Sequence, residues 1–368
     1  MKTSVLVPNN MEILSRLTVA NYVASRNQSS AHALSSDLDY LASLNPVLRI
    51  AFLQLAQSHH VIVRSLQVVE NTASEANLTA LMQWCKRSLE EETSRIRHAI
   101  DTLHPICSTL ENSDCPVAVI KSLDHWPDLG SDIDLYTTAT PERVIDLMRT
   151  QFDAVPVARS WGDRLAGKWN FRVPGLPELI EIHVRYLGQT GEHVALAHRI
   201  IARRVRAHIA GFDFFVPAPE ERIMISALQR VYRHFYFRLC DMVEMAALVD
   251  SGAVDFDELR NAASASGIWP GVATFLILVQ AFMQVHGVSI ALPDEVIRST
   301  RSPLIRVRYA DGFLRVPKLP AAGLYGSQLF HAGRQYNLRA LCRLPLLPPL
   351  ALSALVAYHL TGDDKGIW

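Results

Sequence analysis

Residues 117–135 read VAVIKSLDHWPDLGSDIDL. Val117 to Ile120 is a short β-branched, apolar run, the composition of a buried strand, and it enters a polar turn holding Asp124, Pro127, Asp128 and Gly130. A second strand starts where that turn ends. Side chains alternate along a strand, so Asp132 and Asp134 share one face while Ile133 and Leu135 face a core. Two carboxylates that close repel and raise each other's pKa unless a cation lies between them. A hard divalent ion is the natural occupant. Mg²⁺ takes one or two carboxylates plus phosphate oxygens, and two ions about 3.5 to 4 Å apart can clamp both oxygens of a phosphoryl or nucleotidyl transfer. Gly130 lets a phosphate approach the backbone, and Ser131 adds a hydroxyl. Alone, an Asp-x-Asp tripeptide fits a solvated strand end better; the strand, turn, Gly-Ser and apolar alternation around it favour a site.

Such a site needs a third acid. In LIEIHVR, residues 179–185, Ile180, Ile182 and Val184 fall on one face and Glu181, His183 and Arg185 on the other. By itself the run fits an amphipathic edge strand. Coming after the hairpin-like KWNFR of residues 168–172, it supplies an acid, an imidazole and a guanidinium to the first pair.

GSDIDL followed by IEIH resembles the active-site pattern of the DNA polymerase β-like nucleotidyltransferase superfamily, most closely its branch of uncharacterised bacterial nucleotidyltransferases. The resemblance covers Val117 to Asp250. It implies an α+β fold, a small mixed-sheet core flanked by N-terminal and C-terminal helical regions. It implies that Asp132 and Asp134 hold two Mg²⁺ ions, that Glu181 is the third acid, and that Lys121 matches the family's turn lysine. Lys121, Ser122, Gly130, Ser131, Lys168, His183 and Arg185 are then expected around the nucleotide. Ser122 stands where the family has a glycine, and Glu181 where aspartate is commoner.

At 368 residues the chain suggests two or three compact units, and its 49% apolar content is ample for cores. The expected division is a helical region at 1–110, the α/β core at 111–216, and a helical region with a basic tail at 217–368. Lys plus Arg and Asp plus Glu both total 36, which argues against an extended nucleic-acid surface and for a small substrate. Cys85, Cys107, Cys115, Cys240 and Cys342 are odd in number and scattered, so neither disulfides nor a Cys-x-x-Cys zinc site is indicated. No signal peptide is read at the N-terminus, and Leu344 to Leu360, cut by prolines, is too short to span a bilayer; a cytoplasmic protein is expected.

Upstream, Leu78, Leu81, Cys85, Leu89, Ile96, Ile100 and Leu103 trace an amphipathic helix, with Glu91 and Arg95 as an i, i+4 pair on its outer face. Trp84, His59 and His60 read as packing and surface residues. Pro141 starts a helix within the core. Arg199, Arg203, Arg204 and Arg206 read as a solvated helix face or an anion-facing patch. Beyond Pro219, Glu220 and Glu221 suit a first helical turn, Asp255 with Glu258 forms a capping box, and Gly252, Gly267 and Gly287 end helices. His234, Arg238 and Asp241 lie near helical spacing and resemble the helix lining the family's cleft. The basic stretch 301–368 reads as a solvated arm.

The leading expectation is a metal-dependent enzyme moving NMP from an NTP to a hydroxyl-type acceptor with release of pyrophosphate. A small-molecule acceptor is favoured, with a protein acceptor next. A glycosyltransferase using a nucleotide sugar through its own Asp-x-Asp ranks lower, because some 110 helical-looking residues precede the motif where that fold places its nucleotide-binding unit. A non-catalytic nucleotide- or partner-binding module on the same fold is the third reading.

Overall fold

The computed structural model describes residues 10–26, 34–300, 308–310, 313–315 and 318–361. The chain opens with helices α1 (Asn10–Ala24), α2 (Ser35–Ser43), α3 (Pro46–Ser58), α4 (Ile62–Glu75) and the long α5 (Thr79–Asn112). The stripe read on α5 is buried from Leu81 to Leu103. Arg95, however, pairs not with Glu91 but with Glu92, one turn back, and with the buried Glu178. A buried acid in reach is the stronger partner, and Arg95 thereby also reaches the carbonyl of Leu129 at 3.0 Å.

Next come β1 (Val117–Val119), β2 (Asp132–Thr137), α6 (Pro141–Phe152), β3 (Val155–Pro156), α7 (Trp161–Ala166), β4 (Lys168–Arg172) and β5 (Leu179–Val184). Their sheet runs β1-β2-β5-β4-β3; β2 and β5 are parallel and every other pair is antiparallel. The fold is thus α+β, with a small mixed sheet among many helices. Thr140 caps α6 with Pro141 in its first turn, as expected.

α8 (Val194–Ala202) leads into a hairpin of β6 (Val205–Ile209) and β7 (Phe212–Val216), followed by α9 (Pro219–Ala227). The continuation 228–234 is a π-helical turn. It stops at Phe235, whose φ of 56° leaves the helical region. Residues 233–241 are therefore not one helix, as their spacing suggested. Tyr236 and Phe237 form β8, and α10 (Leu239–Asp250) starts afresh with Asp241 accepting the Arg238 N–H at 2.7 Å. The cause is tertiary: β8 pairs with a strand from much later in the chain.

The remainder is α11 (Phe256–Ala265), α12 (Trp269–Val285), α13 (Asp294–Ser299), β9 (Arg308–Ala310), β10 (Phe313–Arg315), α14 (Lys318–Arg334), α15 (Leu338–Arg343) and α16 (Leu347–Thr361). β10 pairs with both β8 and β9. Asp255 caps α11, but the expected reciprocal box does not close: the Asp255 N–H goes to Glu220, and Glu258 turns to Arg199. Gly252, Gly267 and Gly287 all have the positive φ expected after a helix end. Part of the C-terminal stretch packs on the body, where α14 carries the buried Gln328 against His193, while Leu352, Val356 and Leu360 of α16 are exposed as a solvated arm would have them. Residues 301–307 and 362–368 of that stretch, and the N-terminal 1–9, lie outside the described residues. Among the described residues no helix is long and apolar enough to cross a membrane.

Candidate active site

Register places the acids. In the parallel pair β2/β5, Asp134 stands opposite Glu181 and Tyr136 opposite His183; in β4/β5, Lys168 stands opposite His183. Alternation then puts Asp132, Asp134, Glu181, His183 and Lys168 on one face of the sheet, while Ile133, Leu135, Ile180 and Ile182 are fully buried on the other. Lys168 Nζ lies 2.7 Å from Glu181 Oε1, and His183 Nε2 lies 2.8 Å from the same oxygen and 3.3 Å from Asp134 Oδ1. Lys121 Nζ donates to Asp134 Oδ1 at 2.5 Å. One ligand atom each from Asp134, Glu181 and His183 falls within 4.8 Å of the other two, a set able to hold a metal ion.

Charge is distributed unevenly across this face. Burial would raise Glu181, but Lys168 first and then His183 hold its carboxyl well below the usual range. Lys168 is lowered by its own burial and by Arg233. Asp132 is different. Its carboxyl is pushed up by desolvation and by the charges of Asp134 and Glu181, and its hydrogen-bond partner is the hydroxyl of Ser131 at 3.4 Å. Asp134 and Glu181 each have a lysine; the cation deficit lies at Asp132.

The turn entering the site is held by Ser122 rather than by a glycine. Positive φ falls at Lys121 (61°, with ψ −56°), where the Ser122 N–H bonds back to Ile120 O at 2.6 Å in a strained three-residue γ-turn. Nothing in the backbone requires glycine at 122. Instead the buried Ser122 hydroxyl accepts the Asp134 N–H at 2.8 Å and donates to Asp132 O at 3.3 Å. Ser122→Ala is expected to cost about 1 to 3 kcal/mol, the penalty for leaving the buried Asp134 N–H unpaired. Urea unfolding checks this, and an unchanged midpoint would show that the hydroxyl clamps nothing.

The facing wall comes from residues that the sequence did not single out as a set. His60, His125, Gln229, Arg233, His234 and Arg238 line the same cleft as the acids, which has a volume of about 170 Å³. His60 packs against Gly130, where any Cβ would sit 2.7 Å from its ring. Glycine is needed there for packing as well as for any phosphate approach. Arg233 and Arg238 make no carboxylate ion pair among the described residues, which leaves both cations to a ligand. Burial, then Arg233, Arg230 and Arg238, hold His234 well below its ordinary value. A histidine neutral in the fold but free to charge when unfolded loses stability as pH falls below about 6.5. His234→Gln should therefore unfold with less pH dependence between about pH 7.5 and 5.5. Thermal melts of both proteins across that range decide it, and parallel curves would count against a neutral His234.

Two expected contributors lie elsewhere. Arg185 leaves the strand with φ 65°, and its guanidinium donates to the carbonyls of Thr138 and Ala139, outside the cleft. The arginine patch is already neutralised: Arg199 and Arg203 pair with Glu220, Glu221 and Glu258, and Arg204 with Glu111. Arg206 lies on β6, not on a helix, over the ring of Phe215. The acids that neutralise the patch, Glu220 and Glu221, were read as helix-capping charges, and their second use is invisible without the fold. His60 carried no signal beyond its neighbour, whereas Arg233 and Arg238 did lie in the stretch singled out for cleft-lining residues.

No protein-family model matches the sequence, and neither does any curated protein. Half of the chain aligns with 94% of the crystal structure of an antigenic nucleotidyltransferase-like protein from Paracoccidioides brasiliensis, at a TM-score of 0.32 and 13% identity. At that distance nothing of the function passes from one protein to the other.

Proposed function

We propose that the protein is a metal-dependent nucleotidyltransferase that transfers NMP from an NTP to a hydroxyl-type acceptor, with a small molecule as the favoured acceptor. The observation that supports it best is the in-register pairing of Asp134 with Glu181, with Asp132 on the same face and Arg233 and Arg238 opposite. The donor set fits a hard divalent ion: Asp134 and Glu181, whose ligand atoms converge with one of His183, would hold Mg²⁺, with Asp132 on the same face as a further carboxylate. When bound, such an ion neutralises phosphate charge and polarises the bond to be broken. The chain's own residues do the rest. Arg233 and Arg238 offer forked donors to the triphosphate, and Lys121 and Lys168, now paired with Asp134 and Glu181, would be free to do the same once an ion takes over those carboxylates. Glu181, once free of Lys168, can accept the acceptor's proton. Beyond Lys121 and Arg233 lies an apolar recess of about 60 Å³ lined by Leu187, Leu228, Tyr232, Tyr325 and Gln328, suited to a base or to the acceptor's apolar part.

A non-catalytic reading has one specific support. Lys121 and Lys168 already occupy the carboxylates, which is how a nucleotidyltransferase fold without metal would keep its acids paired. Incubation with α-labelled NTPs and a metabolite extract, with Mg²⁺ or with EDTA, separates the two. Mg²⁺-dependent label transfer is expected; NTP binding equal in EDTA and Mg²⁺, with no transfer, would favour the non-catalytic module.

A further inference from the structure

A second cluster with ligand character lies at the wall of the same cleft. His60 follows α3, His125 sits in the 3₁₀ turn after Lys121, and Cys240 opens α10. These elements are distant in sequence, yet one ligand atom from each residue lies within 4.8 Å of the other two. The rings of His60 and His125 meet at 5.0 Å. Cys240 is fully buried, and both histidines reach the cleft.

Three features distinguish this cluster from ordinary packing. His125 Nδ1 is 2.8 Å from Glu244 Oε2, and Glu244 is itself held by Arg64 at 2.8 Å. A carboxylate on one ring nitrogen fixes the tautomer and turns the lone pair of the other nitrogen outward, which is how metal-binding histidines are oriented. With Nδ1 taken by Glu244, Nε2 of His125 is the nitrogen left for the cluster. Second, Nδ1 of His60 is buried and has no hydrogen-bond partner. A buried imidazole nitrogen left unpaired is costly unless something outside the protein meets it. Third, the donor set is two imidazoles and a thiol, the borderline-soft combination that suits Zn²⁺ and contrasts with the hard oxygen set across the cleft.

We propose that His60, His125 and Cys240 form a Zn²⁺ site, distinct from the Mg²⁺ site and independent of whether the protein transfers nucleotides. Three protein ligands leave a fourth position for water. On binding, the thiol proton of Cys240 and any proton that His125 carries toward it leave to solvent, a Zn–thiolate bond forms, and no electron is transferred. Arg64 and Glu244 serve as the outer support, so α4, the turn before β2 and α10 would be tied at one point.

Co²⁺ substitution tests this, because a Co²⁺–thiolate bond gives a near-ultraviolet charge-transfer band that Asp134, Glu181 and His183 cannot produce. The exposed Cys342 is first replaced (Cys342→Ser) to remove a competing thiol. In that protein, Co²⁺ should give the band at one equivalent, and Zn²⁺ should abolish it by displacement. Cys240→Ser should eliminate the band, and His60→Ala should weaken Co²⁺ binding by about 10- to 100-fold. Should Cys240→Ser fail to fold, His60→Ala alone still decides, since His60 is only partly buried. Asp134→Asn should leave the band in place. A band absent from the parent protein, or unaltered by Cys240→Ser or by His60→Ala, would overturn the assignment and leave His125 as a buried histidine bridged between Glu244 and Cys240.

Discussion

Asp134→Asn is expected to reduce nucleotidyl transfer by about 10³-fold or more, because it removes a charge that stabilises the transition state in a partly desolvated site. The change keeps the shape of the side chain, but it leaves Lys121, 2.5 Å away, without its counter-charge. A loss of stability is therefore expected alongside the loss of rate. Asp132→Asn is the cleaner companion. Asp132 makes no ion pair with a lysine, and desolvation, Asp134 and Glu181 outweigh the more distant Lys121 in disfavouring its charge, so its neutralisation should leave stability unchanged or slightly higher while transfer falls to a similar extent. Label transfer and thermal melts on both variants give the two readouts. If both turn over at the wild-type rate, this cleft is not where the chemistry occurs.

How much of this was legible before folding depends on whether a signal is local. The two acidic strands were, since alternation of Ile and acid over six residues fixes which face is which. The lysines of the site were named, but their occupation was not foreseen: Lys168 meets Glu181 only because β4 pairs antiparallel with β5 in this register. Arg185 shows the limit of alternation. One residue past the strand, a positive φ turns its side chain away, and no count of faces reveals that. The break at Phe235 is another such limit. Helical spacing from Arg233 to Asp241 was real, but β10 captures Tyr236 and Phe237 as a strand. Tertiary pairing outweighed local propensity. The same holds for His60, which gains its meaning from Gly130, seventy positions later.

Arg64→Met is expected to be the most destabilising single change near the site, costing about 3 to 5 kcal/mol, the range for breaking a buried ion pair from one side. Arg64 lies in α4, is nearly buried, and donates to Glu244 Oε1 at 2.8 Å and to the carbonyl of Trp126 at 2.6 Å. Asp128 sits 3.7 Å from its Nε and accepts the Val63 N–H at 2.6 Å. With the guanidinium gone, Glu244 keeps His125 at 2.8 Å, but Asp128 remains as a buried acid with no cation against it. Burial has already pushed Asp128 up to about 7, and losing Arg64 removes the attraction that opposes it. Adding Asp128→Asn to Arg64→Met should recover part of the loss, because the carboxylate left without a cation then disappears; two residues in direct contact are expected to couple by about 0.5 to 3 kcal/mol. Urea unfolding of wild type, both singles and the double measures that coupling. The loop from His125 to Gly130, which aims Asp132 and carries His125, hangs on this arginine, so Arg64→Met should also weaken Mg²⁺-dependent NTP binding under conditions where the protein is still folded. A loss below about 1 kcal/mol would place Arg64 among surface-like ion pairs and leave the loop to be held by Arg95 and by the Val63 N–H on Asp128.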